Sequence, residues 1–160
     1  MRLTLNQKQS RFTHKWLILI EYEMMFLLDT NVISELRKGK KNQSAKVVAW
    51  AGATPAKQCY LSAITVLELE QGVQRLEYET PPQGSALRTW LNGISSSYQG
   101  RILPFDERAA RICASLHIPN KRPERDAMIA SVARSHGLTV VTRNIADFVN
   151  TGVALFNPFD

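Results

Sequence analysis

From Met24 onward the chain alternates between apolar runs of strand length and amphipathic stretches of helical length. Residues 24–29 (MMFLLD) are too short for a stable helix. They are apolar almost throughout, as a central strand covered on both faces must be. Residues 31–38 read as a helix that gives way to the loop GKKNQS, and residues 45–53 as a second short helix stopped near Pro55. CYLSAI (59–64) reads as the next strand. The helix 65–78 then repeats Val66, Leu69, Val73 and Leu76 at helical spacing. TPPQG (80–84) is a break, and residues 85–98 form another amphipathic helix closed by Gly100. RILPF (101–105) is a strand, and Asp106 caps a helix over 107–117. The loop IPNKRPER leads to a helix over 126–136, with Gly137 as its C′ residue. LTVVT (138–142) is rich in β-branched residues and reads as a strand. After a short polar turn, VALFNPF supplies a last, edge strand. Strands taking turns with helices imply an α/β fold: a central, mainly parallel sheet flanked by helices.

At 160 residues the chain suits one domain with a sizeable core, and it shows no internal repeat or low-complexity tract. The first 23 residues stand apart: MRLTLNQKQSRFTHK is polar and basic, with little periodicity. Because Met24 and Met25 precede the first strand directly, we expect residues 1–23 to be an extension arising from a misplaced start, and the domain to span 24–160. A chain begun at Met25 should then fold and act like the full one.

Four acidic residues fall where a strand should end or a helix begin: Asp29, Glu68, Asp126 and Asp147. In open α/β sheets, ligands bind beyond the carboxyl ends of the strands. Asp29 ends the first strand, Glu68 lies one turn into the helix after the second, Asp126 opens a late helix, and Asp147 follows LTVVT. All four can reach one sheet edge. Gathered carboxylates repel one another and resist desolvation, so such a pocket makes sense chiefly around a hard divalent cation, Mg2+ or Mn2+. Asn31, Thr142 and Asn144 occupy the same edge and can orient the carboxylates or metal-bound water.

Each acid also has an ordinary use. Asp29 can cap a helix, Thr65-x-x-Glu68 fits a capping box, Asp126 complements a helix dipole, and Asp147 suits a turn. Singly, those uses suffice; jointly, they would put four charges on one edge by coincidence. Glu35, Glu70, Glu77 and Glu79 fall away from the strand ends and read as solvated helix faces. Arg37, Lys38, Lys40 and Lys41 cluster after the first helix, where they can hold a phosphate backbone or simply face water.

The net charge of +6, from 20 Lys and Arg against 14 Asp and Glu, suits a polyanionic partner but equally suits solubility. Cys59 and Cys113 lack CxxC spacing and read as free core thiols, and the three histidines lack zinc-ligand spacing. No apolar run is long enough to span a membrane, and no signal peptide is visible, so we expect a cytoplasmic protein.

The segments FLLDTNVISEL, ITVLELEQG, DAMIASVARSHGLTVVTRN, the following DF and the closing NPF, in that order, resemble the PIN-domain family, and within it the VapC-type toxins of bacterial toxin–antitoxin pairs. The resemblance covers Met24 to Asp160. It implies a PIN-like fold, with the family's acidic cluster falling on Asp29, Glu68 and Asp126. Some members carry the fourth acid directly after the TR pair. Here Asn144 stands there and Asp147 follows three residues later, so either Asp147 takes the role or Asn144 contributes its carbonyl.

The resemblance further implies a Mg2+- or Mn2+-dependent endoribonuclease, a homodimer held silent by an antitoxin. Operator DNA would be bound only through the toxin–antitoxin complex. On this reading Asp29 and Asp126 hold the metal, while Glu68 and Asp147 complete the pocket. Two alternatives stand beside it. One is a catalytically inactive module that binds nucleic acid or antitoxin. The other is a phosphohydrolase working through an aspartyl-phosphate on Asp29, a chemistry that usually wants a second aspartate where this chain has Asn31.

Overall fold

The computed structural model describes residues 23–160. The readings made of residues 1–22 lie outside the described residues. Five strands form one sheet: β1 (Phe26–Leu28), β2 (Cys59–Ser62), β3 (Ile102–Leu103), β4 (Thr139–Val141) and β5 (Leu155–Phe156). Their spatial order is β3-β2-β1-β4-β5, and every pairing is parallel. The helices are α1 (Thr30–Glu35), α2 (Ala45–Ala53), α3 (Ala63–Glu79), α4 (Pro81–Ser97), α5 (Glu107–Leu116), α6 (Glu124–His136) and α7 (Ile145–Phe148), with a 3-10 turn at Ala56–Gln58.

β1 is central, and its residues alternate between two cores. Leu27 packs with Ala109, Cys113, Leu116, Ile129, Val132 and Val140, under α5 and α6. Phe26 and Leu28 pack with Val32, Val47, Leu61, Leu69, Val73, Leu91 and Val141, under α1 to α4. Full burial of Phe26, Leu27 and Leu28 on both faces explains why FLL shows no apolar–polar alternation. Cys59 and Cys113 are buried and free, as read from their spacing. No helix among the described residues is long and apolar enough to cross a membrane.

Several boundaries differ from expectation for local reasons. The TPPQG break shrinks to Thr80, because Pro81 and Pro82 occupy the first turn of α4, where no backbone N–H is needed. Gly84 allows that sharp reversal: a Cβ there would lie 2.4 Å from the Glu77 backbone nitrogen and Cα. The helix expected over 65–78 begins earlier, at Ala63. Ser62 is its N-cap and accepts from the Thr65 amide at 3.0 Å. The capping box Thr65-x-x-Glu68 therefore does not form, and Glu68 sits in the second turn with its side chain free for other partners. α6 likewise starts at Glu124, two residues before Asp126. The last strand contracts from VALFNPF to Leu155–Phe156, at the sheet edge as expected.

The first helix stops at Glu35 instead of reaching residue 38, and Glu35 corrects a second expectation. Expected on a solvated face, it is 2 % exposed. Its carboxylate accepts from the Ser44 amide at 2.6 Å and pairs with Lys40 and, at 3.4 Å, with Arg143. Those donors hold the carboxyl below its ordinary range, the Lys40 bond first and the Ser44 amide second. Glu35 thereby folds the GKKNQS loop back onto α1, and Lys40 leaves the free basic cluster. Glu70 and Glu77 do meet solvent in part, and both accept from Arg88, which ties α3 to α4.

Candidate metal centre

β1 has β2 on one side and β4 on the other, and the chain reaches β2 directly but β4 only after leaving the far edge. The strand order thus reverses between β1 and β4, which opens a crevice beyond their carboxyl ends. Asp29 and Thr142 are the residues next after those two strands. The Asp29 amide still belongs to the sheet, donating to Val141 O at 3.0 Å, while its carbonyl accepts from Val32 and Ile33 to open α1. Sheet register and helix start together fix where the side chain points.

The Asp29 carboxylate is 5 % exposed and accepts three hydrogen bonds. The Thr30 amide donates to Oδ1 at 2.7 Å; Asn31 Nδ2 and Thr142 Oγ1 donate to Oδ2 at 2.8 and 2.7 Å. Asn31 Nδ2 also reaches Thr142 Oγ1 at 3.1 Å, and the Asn144 amide donates to the same hydroxyl at 3.0 Å. A carboxylate offers about four lone-pair positions, so one remains for a ligand. Burial pushes the Asp29 carboxyl up against the pull of these donors, and Asp147 adds to the rise.

The other acids converge from three helices. Glu68 of α3 accepts from the Thr30 hydroxyl, which ties the second turn of α3 to the first of α1. Asp126 lies in the first turn of α6 and Asp147 in α7. Asp126 is pushed up to about 6, by burial first and then by Asp29, Asp147 and Glu68. Every one of those influences raises it, so no hydrogen bond offsets the repulsion. Asn144 is exposed and caps nothing with its side chain; its contribution is the backbone bond to Thr142.

Of the acids named from sequence, Asp29, Glu68 and Asp147 are all felt at Asp126, and Asn31 and Thr142 are bonded directly to Asp29. Sequence reasoning missed Thr30, whose hydroxyl steers Glu68; its place between Asp29 and Asn31 was the available signal. The second aspartate that aspartyl-phosphate chemistry wants is replaced by Asn31, and its amide is engaged on Asp29 and Thr142.

The donors are all hard oxygens, suited to Mg2+ or Mn2+ and ill-suited to softer metals. Among the described residues no group of three or more acidic, histidine or cysteine side chains is placed to hold a metal ion. The arrangement fits an ion that keeps several waters and takes one or two carboxylates directly. A cleft of about 270 Å³ runs from Thr30 and Glu68 past Val73 and Trp90 to Arg37 and Lys40.

Fold and site thus define a small α/β domain with an acidic pocket at the switch point of an all-parallel sheet. The chain belongs to the PIN-domain family, whose pattern it matches over residues 26–152. It is 41% identical over 141 residues to the toxin FitB of Neisseria gonorrhoeae, an alignment covering 84% of this chain and 99% of that protein. It is 36% identical over 145 residues to the VapC ribonuclease Y4jK of Sinorhizobium fredii, covering 85% and 99%. Its fold superimposes on FitAB bound to an IR36 DNA fragment with a TM-score of 0.76 at 37% identity, covering 85% of this chain and 96% of that one.

Proposed function

We propose that this chain is a Mg2+-dependent endoribonuclease, the toxin of a toxin–antitoxin pair, with Mn2+ able to substitute. The observation that carries the reading is the unrelieved repulsion at Asp126, pushed up to about 6 by burial and by the carboxylates of Asp29, Asp147 and Glu68. A fold that gathers four acids without a counter-charge of its own is suited to a cation brought in by the reaction. The relatives support the choice of chemistry, since one is named a ribonuclease and another a toxin.

Asp29 and Asp126 would hold the metal. When bound, the ion lowers the pKa of water and offsets charge on the reacting phosphate. Thr142 and Asn31 hold Asp29 Oδ2 in place and the Thr30 amide holds Oδ1, which leaves one lone-pair position on Oδ1 for the ion. Glu68, steered by Thr30, and Asp147 complete the acidic wall, and one of them takes the proton of the attacking water. Asp147 rather than Asn144 is the fourth acid, because its charge is felt at both Asp29 and Asp126.

The substrate is RNA, and the partner is an antitoxin through which alone the chain meets operator DNA; that a FitAB structure holds a DNA fragment supports the DNA part of this reading. We place the protein in the cytoplasm as a homodimer. The test is cleavage of a total-RNA pool by partner-free protein with Mg2+ or Mn2+, against EDTA and Asp29→Asn. We expect discrete fragments that need the metal and fall by about 100-fold or more in the variant. Metal binding by a folded protein without any cleavage would refute the proposal in favour of a binding module.

A further inference from the structure

We infer that Arg143 is a positioning residue for the acidic site, held in place by Phe159 and Glu35 at the opposite end of its side chain. The inference rests on the proposed role of Asp29. Two of the three donors to the Asp29 carboxylate, Asn31 and Thr142, depend on the turn that joins β4 to α7. Arg143 is the middle of that turn. Its backbone N–H donates to Asn31 Oδ1 at 3.1 Å, which fixes the amide so that Nδ2 faces Asp29 Oδ2 at 2.8 Å. On either side of Arg143, Thr142 supplies its hydroxyl to Asp29 and Asn144 supplies its N–H to that hydroxyl. A small rotation of the turn would therefore shift both donors at once.

The Arg143 side chain anchors the turn from outside the site. Its guanidinium carbon lies 4.1 Å from the centre of the Phe159 ring, and Nη2 approaches Glu35 Oε2 at 3.4 Å. A planar cation placed over a ring and beside a carboxylate is restrained in two directions. Glu35 is itself fixed by the Ser44 amide and Lys40. Phe159 is presented by a turn in which its N–H donates to Asn157 Oδ1 at 3.1 Å, and Pro158 is buried beside it. The closing NPF segment thus gains a purpose: it supplies the aromatic face that seats Arg143. Glu35, with no contact to the four acids, supplies the counter-charge.

The test uses the full chain with Phe159→Leu, which keeps apolar bulk but removes the ring, and Phe159→Trp, which restores a ring. Arg143→Lys, which keeps the charge but loses the planar face, is a second route should Phe159→Leu fold poorly. Two readouts are taken: kcat and KM for RNA cleavage, and hydrogen exchange at the Arg143 N–H and the Asn31 side-chain amide by NMR. We expect Phe159→Leu to lower kcat by about tenfold with KM within about twofold. Exchange at both amides should quicken by a similar factor. Phe159→Trp should reverse both changes. Unchanged exchange in Phe159→Leu and Arg143→Lys would overturn the inference. So would a loss of kcat that Phe159→Trp fails to restore. If the parent protein cleaves no RNA, the ribonuclease reading falls, and the exchange data alone still decide the role of Arg143.

Discussion

Replacing Asp126 by Asn should make the metal-free protein more stable at neutral pH, although it removes a residue we assign to metal binding. Burial and three neighbouring carboxylates raise the folded carboxyl from 3.8 to about 6. A raised carboxyl means that the folded state holds its proton more tightly than the unfolded state does. Its ionisation therefore works against folding: the penalty is absent below the unfolded value, grows as pH rises, and is complete once pH exceeds about 6. For a group sealed from solvent, that displacement would be worth ~3 kcal/mol. Asp126 is half-buried, so screening reduces it to roughly 1–2 kcal/mol. Against this stands the lost attraction of an acid for the α6 N-terminus, about 0.5 kcal/mol.

The repulsion wins, and a net gain of roughly 1 kcal/mol should raise the Tm by about 2–4 °C for a chain of this length. The assay is urea and thermal unfolding of both proteins in EDTA at pH 7.5 and pH 4, repeated with Mn2+. The gain should be present at pH 7.5 and vanish near pH 4. Saturating Mn2+ should reverse the order, because at 100 times its Kd a ligand stabilises by about 2.7 kcal/mol and only the parent keeps both proposed ligands. A variant less stable than the parent at pH 7.5 in EDTA, or equally displaced at both pH values, would refute the electrostatic reasoning.

Thr142→Val keeps the shape of a fully buried side chain but removes a hydroxyl that donates to Asp29 and accepts from Asn31 and Asn144. It should cost about 1–3 kcal/mol by urea unfolding, with a deficit that widens from pH 4 to pH 7 as Asp29 ionises without its donor; a deficit independent of pH would argue for packing alone. Gly84→Ala drives a Cβ against the Glu77 backbone and should destabilise by about 1–3 kcal/mol or more. That loss should appear equally with and without Mn2+, and a neutral Gly84→Ala would mean that the α3–α4 turn yields easily.

Most of the architecture could be read along the chain because its signals are local. β1 is legible as an apolar run before an aspartate, and α6 by its closing Gly137, at φ 67° in the left-handed region. The placement of Asp29 and Asp126 at one sheet edge followed from topology alone. What sequence misjudged depends on distant partners. Glu35 looks like any helix-surface glutamate, and nothing near it announces Arg143, which is 108 residues away. The capping box, the ordinary use weighed beside Glu68's place in the acidic site, was on offer because its pattern is local, whereas the actual partner of Glu68, Thr30, is 38 residues back. The Pro81–Pro82 pair was read as a break because proline both stops and starts helices, and only the packing of α4 on α3 decides between them.

The central place of β1 sets an order in which the molecule can become dangerous. Asp29 is made early, yet its bonding partner Thr142 and its neighbours Asp126 and Asp147 all lie in the last third of the chain. While the ribosome is still making that last third, the growing chain can pair β1 with β2 and β2 with β3, but β1 still lacks β4 along its other side. On the function proposed above, a nascent chain therefore lacks the completed acidic pocket. The pocket closes only when the newer segment carrying Asp126, Thr142 and Asp147 docks against β1, so on that reading assembly delays the chemistry until the last third has been made.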